Sequence, residues 1–176
     1  QQISRGDRVI NDMERSIESQ CLSLITRQQP IAGDLRMISA ALKVVTDIER
    51  IGDQTADIAE LMLRLRDCDL DAYSRHITGM LQVAKEIVHD AVGAFVNRDS
   101  RAADEVIRHD DVVDELFAKV KDDLVHMLQE GVDNIDACVD VLMIAKYLER
   151  IGDHAVNIAE WEIFQESGAI QHIRLM

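Results

Sequence analysis

Proline occurs once in these 176 residues, glycine eight times, and aromatic residues make up only 3% of the chain. So few breakers and turn formers, with abundant Ala, Leu, Ile, Asp, Glu and Arg, exclude a fold of many short strands and favour long helices. Cysteine is scarce and odd in number, at Cys21, Cys68 and Cys138, with no CxxC pair. That pattern indicates neither a disulfide framework nor a thiolate zinc site. Cys21 and Cys138 fall at helical core spacing and read as small buried hydrophobes. No apolar run approaches the ~20 residues of a membrane span, and no secretory pattern is present, so the cytoplasm is the expected location. Basic residues are outnumbered 33 to 19, for a formal net charge of −14. A chain of that charge with no local basic patch repels phosphate backbones, which argues against nucleic-acid binding. The acidic excess fits metal binding or a basic protein partner; its plain alternative is solubility.

Hydrophobic periodicity predicts helices over 1–28, 31–66, 72–97, 101–130 and 134–165, with no sustained period-two alternation and hence no sheet. Pro30 is read as an early-turn proline opening the second helix. Asp67 to Asp71 form an acidic connection, Asp99 or Ser100 is an N-cap, Gly131 a C-cap, and the tail from Ser167 is weakly patterned.

An internal repeat organises the chain. Residues 49–60 read ERIGDQTADIAE and residues 149–160 read ERIGDHAVNIAE, identical at eight of twelve positions and 100 residues apart. A weaker echo links Asp7-x-x-x-Asn11 to Asp110-x-x-x-Asp114, each one helix before its ERIGD helix. The second unit then has three helices and the first only two. The absence of a starting methionine favours an additional helix upstream of Gln1, the alternative being a borrowed one. The resulting expectation is an all-α fold of two tandem pseudo-symmetric three-helix bundles, spectrin-like, over 1–68 and 69–176, the first lacking its opening helix.

At about 100° per residue, Glu49, Asp53, Asp57 and Glu60 fall at about 0°, 40°, 80° and 20° on the helix wheel. This narrow stripe continues the apolar positions Ile31, Leu35, Ile38, Leu42 and Val45, so the acids interrupt a seam. The solvent face is placed at Arg36, Lys43, Arg50 and Gln54. In the second copy Glu149, Asp153, Asn157 and Glu160 continue Cys138, Leu142 and Ala145. Asp110 and Asp114 lie on the seam of their own helix; Asp7, Asn11 and Glu14 lie on theirs. Acid-bearing seams on adjacent antiparallel helices should face each other. Crowded, half-desolvated carboxylates repel and have raised pKa values unless a cation intervenes. Arg50 and Arg150 lie about 100° round from the glutamates. A bound hard ion such as Mg²⁺, Mn²⁺, Ca²⁺ or Fe³⁺ is therefore the favoured remedy over a salt-bridged acidic seam. Mid-helix Gly52 and Gly152 suggest close approach of a neighbouring helix beside each set, against a tolerated kink or a helix break.

The string Gln29-Pro30-Ile31-Ala32-Gly33-Asp34-Leu35-Arg36, the two ERIGD segments, Ala94-Phe95-Val96-Asn97-Arg98-Asp99 and Tyr147-Leu148 together resemble the PhoU family of phosphate-signalling regulators. The resemblance covers nearly the whole chain. It implies two three-helix bundles with pseudo-twofold symmetry and metal centres (Fe, Mn, Mg or Zn) on E/D-x-x-x-D motifs. By position these are Glu49 and Asp53 with Asp7 and Asn11, and Glu149 and Asp153 with Asp110 and Asp114. Asp57 and Asn157 are further candidates from the wheel alone. The resemblance also implies a non-enzymatic negative regulator of the phosphate-starvation response. Such a protein links a phosphate ABC transporter to a membrane sensor histidine kinase and reaches the membrane only through them. A homodimer is expected. The competing reading is a carboxylate-bridged multinuclear metalloenzyme. That class wants Glu-x-x-His on two helices, and the one instance, Glu86-x-x-His89, lies on the polar side of its helix. His154, about 140° from Glu149, reads as surface or interhelical.

Overall fold

The structure is a computed structural model; it describes residues 2–168, apart from the side chains of residues 2–5, Asp7 and Asp71. The tail from 169 onward lies outside the described residues. Five long helices run α1 (Gln2–Gln28), α2 (Ala32–Arg64), α4 (Ile77–Asn97), α5 (Ser100–Glu130) and α6 (Ile135–Ser167), with a single turn α3 (Leu70–Tyr73) between α2 and α4. No strand occurs among the described residues. The caps follow from local chemistry. Asp99 accepts from the amides of Arg101 and Ala102 at 3.1 Å each, Asn134 accepts from Ala137 at 3.0 Å, and Gly131 takes φ 88° at the end of α5. Pro30 sits two residues ahead of α2, not in its first turn, because Ile31 is still extended.

Helices α4, α5 and α6 pack on one another as a three-helix bundle, and α6 also packs along α2. Among the described residues α1 packs on α2 alone. Pairs between α2 and α6 run in opposite senses: Arg36 with Gln165, Asp47 with His154, Arg64 with Asp140. The two repeat helices are thus antiparallel, which a pseudo-twofold axis perpendicular to them would produce. One buried cluster joins Met80, Val113, Val120, Val141 and Leu148; a second joins Val44, Ile87, Ala91, Ala103, Val106, Ala155 and Ile158. The many alanines let the helix axes come close, so a core with few aromatics still excludes water.

Three expectations need correction here. The four residues assigned to the solvent face of α2 do not all meet solvent: Lys43 and Arg50 do, but Arg36 is half-buried against α6 and the Gln54 side-chain oxygen is buried. The cause is that α2 is covered on two faces, by α1 and by α6. At the other extreme Ile31 is 78% exposed, beyond the end of the seam. The third helix starts at Ile77, not 72, because Ser74 turns the chain inward. Its hydroxyl donates to Asp123 on α5 at 2.9 Å and accepts from the His76 amide at 3.1 Å.

Candidate metal centre

Helices α2 and α6 run unbroken through Gly52 and Gly152, so neither glycine breaks its helix. At Gly152 the cause of the glycine is visible. A β-carbon there would lie 2.7 Å from Asp110 Oδ1 and 3.4 Å from Val113 Cγ1, both on α5. The missing side chain lets α5 press its acid onto the backbone of α6, one residue before Asp153.

The second carboxylate set converges as the facing seams predict. Asp110, Glu149 and Asp153 are half-buried and Asp114 stands at the exposed rim. Burial, and then the neighbouring charges of Asp114, Asp153, Asp111 and Glu149, push the Asp110 carboxyl up to about 6. Burial, and then Glu149, also raise Asp153, against the lowering effect of the Lys146 ammonium. Lys146 is ion-paired to Glu149 and lies 5.6 Å from the centre of the Phe117 ring. The helix wheel of acids does not single out this lysine, although its spacing of three residues from Glu149 on a helix is a usable signal.

The first set is looser. Glu49 and Asp53 are half-buried, and Glu14 on α1 faces them: burial, then the Glu49 charge, raise its pKa. The Asn11 side-chain oxygen, also on α1, is buried with no hydrogen-bond partner. Arg50, though 56% exposed, folds back to stand 3.5 Å from Glu49 and 3.4 Å from Asp53. The arginine placed toward solvent thus supplies part of the neutralisation. The Asp7 side chain lies outside the described residues.

Two candidates are not brought to these sets. Asp57 is exposed on α2. Asn157 is committed elsewhere: its amide donates to Asp47 Oδ1 at 3.1 Å, and His154 Nδ1 meets the same oxygen at 2.8 Å. Both belong to a polar node between α2 and α6, which bears out the interhelical reading of His154. Glu86 and His89 are exposed, as read. The node had no signature in the sequence, because Asp47 and its partners are more than 100 residues apart.

The donor set at α5 and α6 fits a hard cation in type and charge: four carboxylates, no thiolate, one ammonium at the edge. The side chains are not closed into a cage, and no three acidic, His or Cys groups among the described residues already stand in position to hold an ion. The Asp110 side chain nevertheless already lies against the backbone of α6 at Gly152.

Comparison with known proteins bears on this arrangement. A family model described as the PhoU domain matches residues 1–62 and 77–161. A phosphate-specific transport system accessory protein PhoU homolog from Clostridium acetobutylicum is 36% identical over 167 residues, which is 94% of this chain and 76% of that protein. The homolog from Aquifex aeolicus is 38% identical over 178 residues, 99% of this chain and 80% of that protein. The crystal structure of PhoU from Pseudomonas aeruginosa superposes with a TM-score of 0.87 at 34% identity, covering 96% of this chain and 81% of that one. A phosphate transport system regulatory protein from Streptococcus pneumoniae superposes at 0.88 with 24% identity, which adds support for the fold alone.

Proposed function

The chain belongs to the PhoU family, and on that premise we propose that it is a metal-binding regulatory adaptor of phosphate transport rather than an enzyme. Its relatives are named accessory proteins of the phosphate-specific transport system, and the proposed role here is the same. In this reading it represses the phosphate-starvation response by coupling a phosphate ABC transporter to a membrane sensor kinase. It works from the cytoplasm, as a homodimer, without entering the bilayer. No helix among the described residues is long and apolar enough to cross a membrane.

The observation that carries the metal part is the Asp110 carboxyl, pressed against α6 at Gly152 and raised to about 6 by burial and by its acidic neighbours. Asp110, Asp114, Glu149 and Asp153 would hold the ion; Glu49 and Asp53, with Asp7, Asn11 and Glu14 on α1, would hold a second. A bound cation would supply the positive charge that these acids lack. The protein's own part is to fix α5 against α6, and α1 against α2, so that each pair of helices shares one charge cluster. Occupancy then ties helix packing to metal supply.

Two measurements test this. Elemental analysis of protein purified without chelators should find Fe, Mn, Mg or Zn at one or more ions per chain, with the content reduced in Asp110→Asn/Asp153→Asn. Absence of any metal, with thermal stability unmoved by added Mn²⁺ or by EDTA, sinks the metal reading. For the adaptor reading, deletion of the gene should leave the phosphate regulon expressed in high phosphate, and the tagged chain should retain transporter subunits. Unchanged regulation on deletion defeats it.

A further inference from the structure

The segments Gln29–Arg36 and Ala94–Asp99, which carried much of the family resemblance, contribute to neither carboxylate set. The fold brings them to one end of the molecule. There the start of α2, the α4–α5 turn and the last turns of α6 enclose a cleft of about 390 Å³, lined in part by Asp34, Met37, Arg98, Glu162, Gln165 and Glu166. Glu162 is 0% exposed. The Gln165 amide donates to its Oε2, but its Oε1 is buried with no hydrogen-bond partner. A buried carboxylate oxygen left unpaired is costly, and burial raises the Glu162 pKa accordingly. Glu162 lines the cleft, so a group that enters and displaces the atoms covering this oxygen would find it unpaired.

The lining decides the sign of that group. Among the described lining residues three carboxylates stand against the guanidinium of Arg98, which disfavours an anion. The Met37 thioether and the uncrowded Gly33, with nothing within 4 Å of a β-carbon placed there, give the cleft an apolar side. That mixture suits a cation on a carbon stem better than a hydrated metal ion. Arg98 already places a guanidinium in this space. It caps α4 in the left-handed conformation, φ 55°, with its Nη2 2.9 Å from Met37 Sδ. A thioether is a weak acceptor, so Arg98 is held loosely beside an unpaired acid.

We propose that this cleft binds an alkylammonium or alkylguanidinium group, with Glu162 as counter-ion and Asp34 and Glu166 at the rim. The proposal does not depend on metal binding at the other sites. Entry moves the Arg98 side chain off Met37, and Arg98 competes with the incoming cation for Glu162. The cation comes either from a free amine or from a Lys or Arg side chain of a protein.

The test titrates the ¹⁵N-labelled full chain with agmatine, following the Gly33 amide at the cleft, with parallel titrations of putrescine and of a blocked Ala-Arg-Ala peptide. Saturable shifts centred on Gly33 are expected. Loss of a charge-assisted hydrogen bond in Glu162→Gln should weaken binding about tenfold or more, and Arg98→Ala should strengthen it. Binding of agmatine and putrescine without the peptide assigns a free amine; equal binding of the peptide assigns a protein side chain. Shifts that spread over the acidic surface without saturating, or equal affinity in Glu162→Gln, overturn the proposal. Because Glu162 lies in the core, its variant is checked by urea unfolding. The rim variant Asp34→Asn/Glu166→Gln gives an independent reading: it should also weaken binding, and unchanged binding there overturns the proposal as well.

Discussion

A β-carbon at Gly152 would stand 2.7 Å from Oδ1 of Asp110, so the absence of a side chain on α6 is what gives the acid of α5 its place. Alanine at 152 would gain about 1 kcal/mol of helix propensity. The Asp110 carboxylate would have to rotate away, out of register with Glu149 and Asp153. Gly152→Ala is therefore expected to fold, with metal-free stability within about 1 kcal/mol of the parent. Mn²⁺ affinity, measured by calorimetry, should fall by about 10–100-fold, as it does when ligand-supporting groups are disturbed. Unchanged affinity would show that Asp110 does not act from this position.

Asp110 also sets an expected pH dependence. Its folded pKa of about 6 lies above the ordinary 3.8. The folded chain therefore holds this proton more tightly than the unfolded chain, and the stability it contributes is fully present below pH 3.8. That stability is lost as pH rises from there through about 6, and the accumulated cost is on the order of 2–3 kcal/mol. In EDTA, Asp110→Asn should be more stable than the parent at pH 7.5, with the gap closing near pH 4. In saturating Mn²⁺ the order should reverse, because the variant has lost a ligand. Urea unfolding at both pH values, with and without metal, reads all four cases.

Lys146 holds part of the cluster together when no ion is present. It pairs with Glu149, and its charge lowers the Asp153 pKa against burial. Lys146→Met should cost about 1–2 kcal/mol in the metal-free protein, the range for a hydrogen bond to a half-buried charge. A bound cation would take over the neutralisation, so the loss in Mn²⁺ should be smaller. An equal loss in both conditions would make Lys146 a packing residue only, resting on Phe117.

Periodicity located the five long helices to within a few residues, and the ERIGD duplication identified α2 and α6 as the two copies of one element. These features are local, or repeat exactly at a spacing of 100. The wheel also found the facing acids, because an acid inside an apolar seam is visible in a single helix. It failed where a residue answers to a distant partner. Arg50 lies toward solvent on the wheel yet folds back to Glu49 and Asp53. Ser74 delays α4 through Asp123. Asn157 looks equivalent to Asp57, but the two have different surroundings: one faces Asp47 and the other faces water. A repeat predicts equivalent positions, and only the packing between the repeats decides which of them are buried.

That packing rests in part on Asp47, which supplies the last prediction. Its Oδ1 accepts from Asn157 Nδ2 at 3.1 Å and meets His154 Nδ1 at 2.8 Å, with both side chains of the His–Asp pair largely buried between α2 and α6. Asp47→Ala strands two donors in a low-dielectric interface, at about 1–3 kcal/mol for each buried group left unpaired. The expected total is about 2–4 kcal/mol by urea unfolding. Removing a donor as well should be cheaper than the sum of the separate changes. In a cycle of Asp47→Ala with Asn157→Ala, a coupling of about 1 kcal/mol is expected. Mn²⁺ affinity should be unaffected in either variant, because neither side chain is brought to the Asp110 set. If instead the two changes add without coupling, the node is a bystander, and the apolar contacts around Val44 and Ile158 hold the two helices together without it.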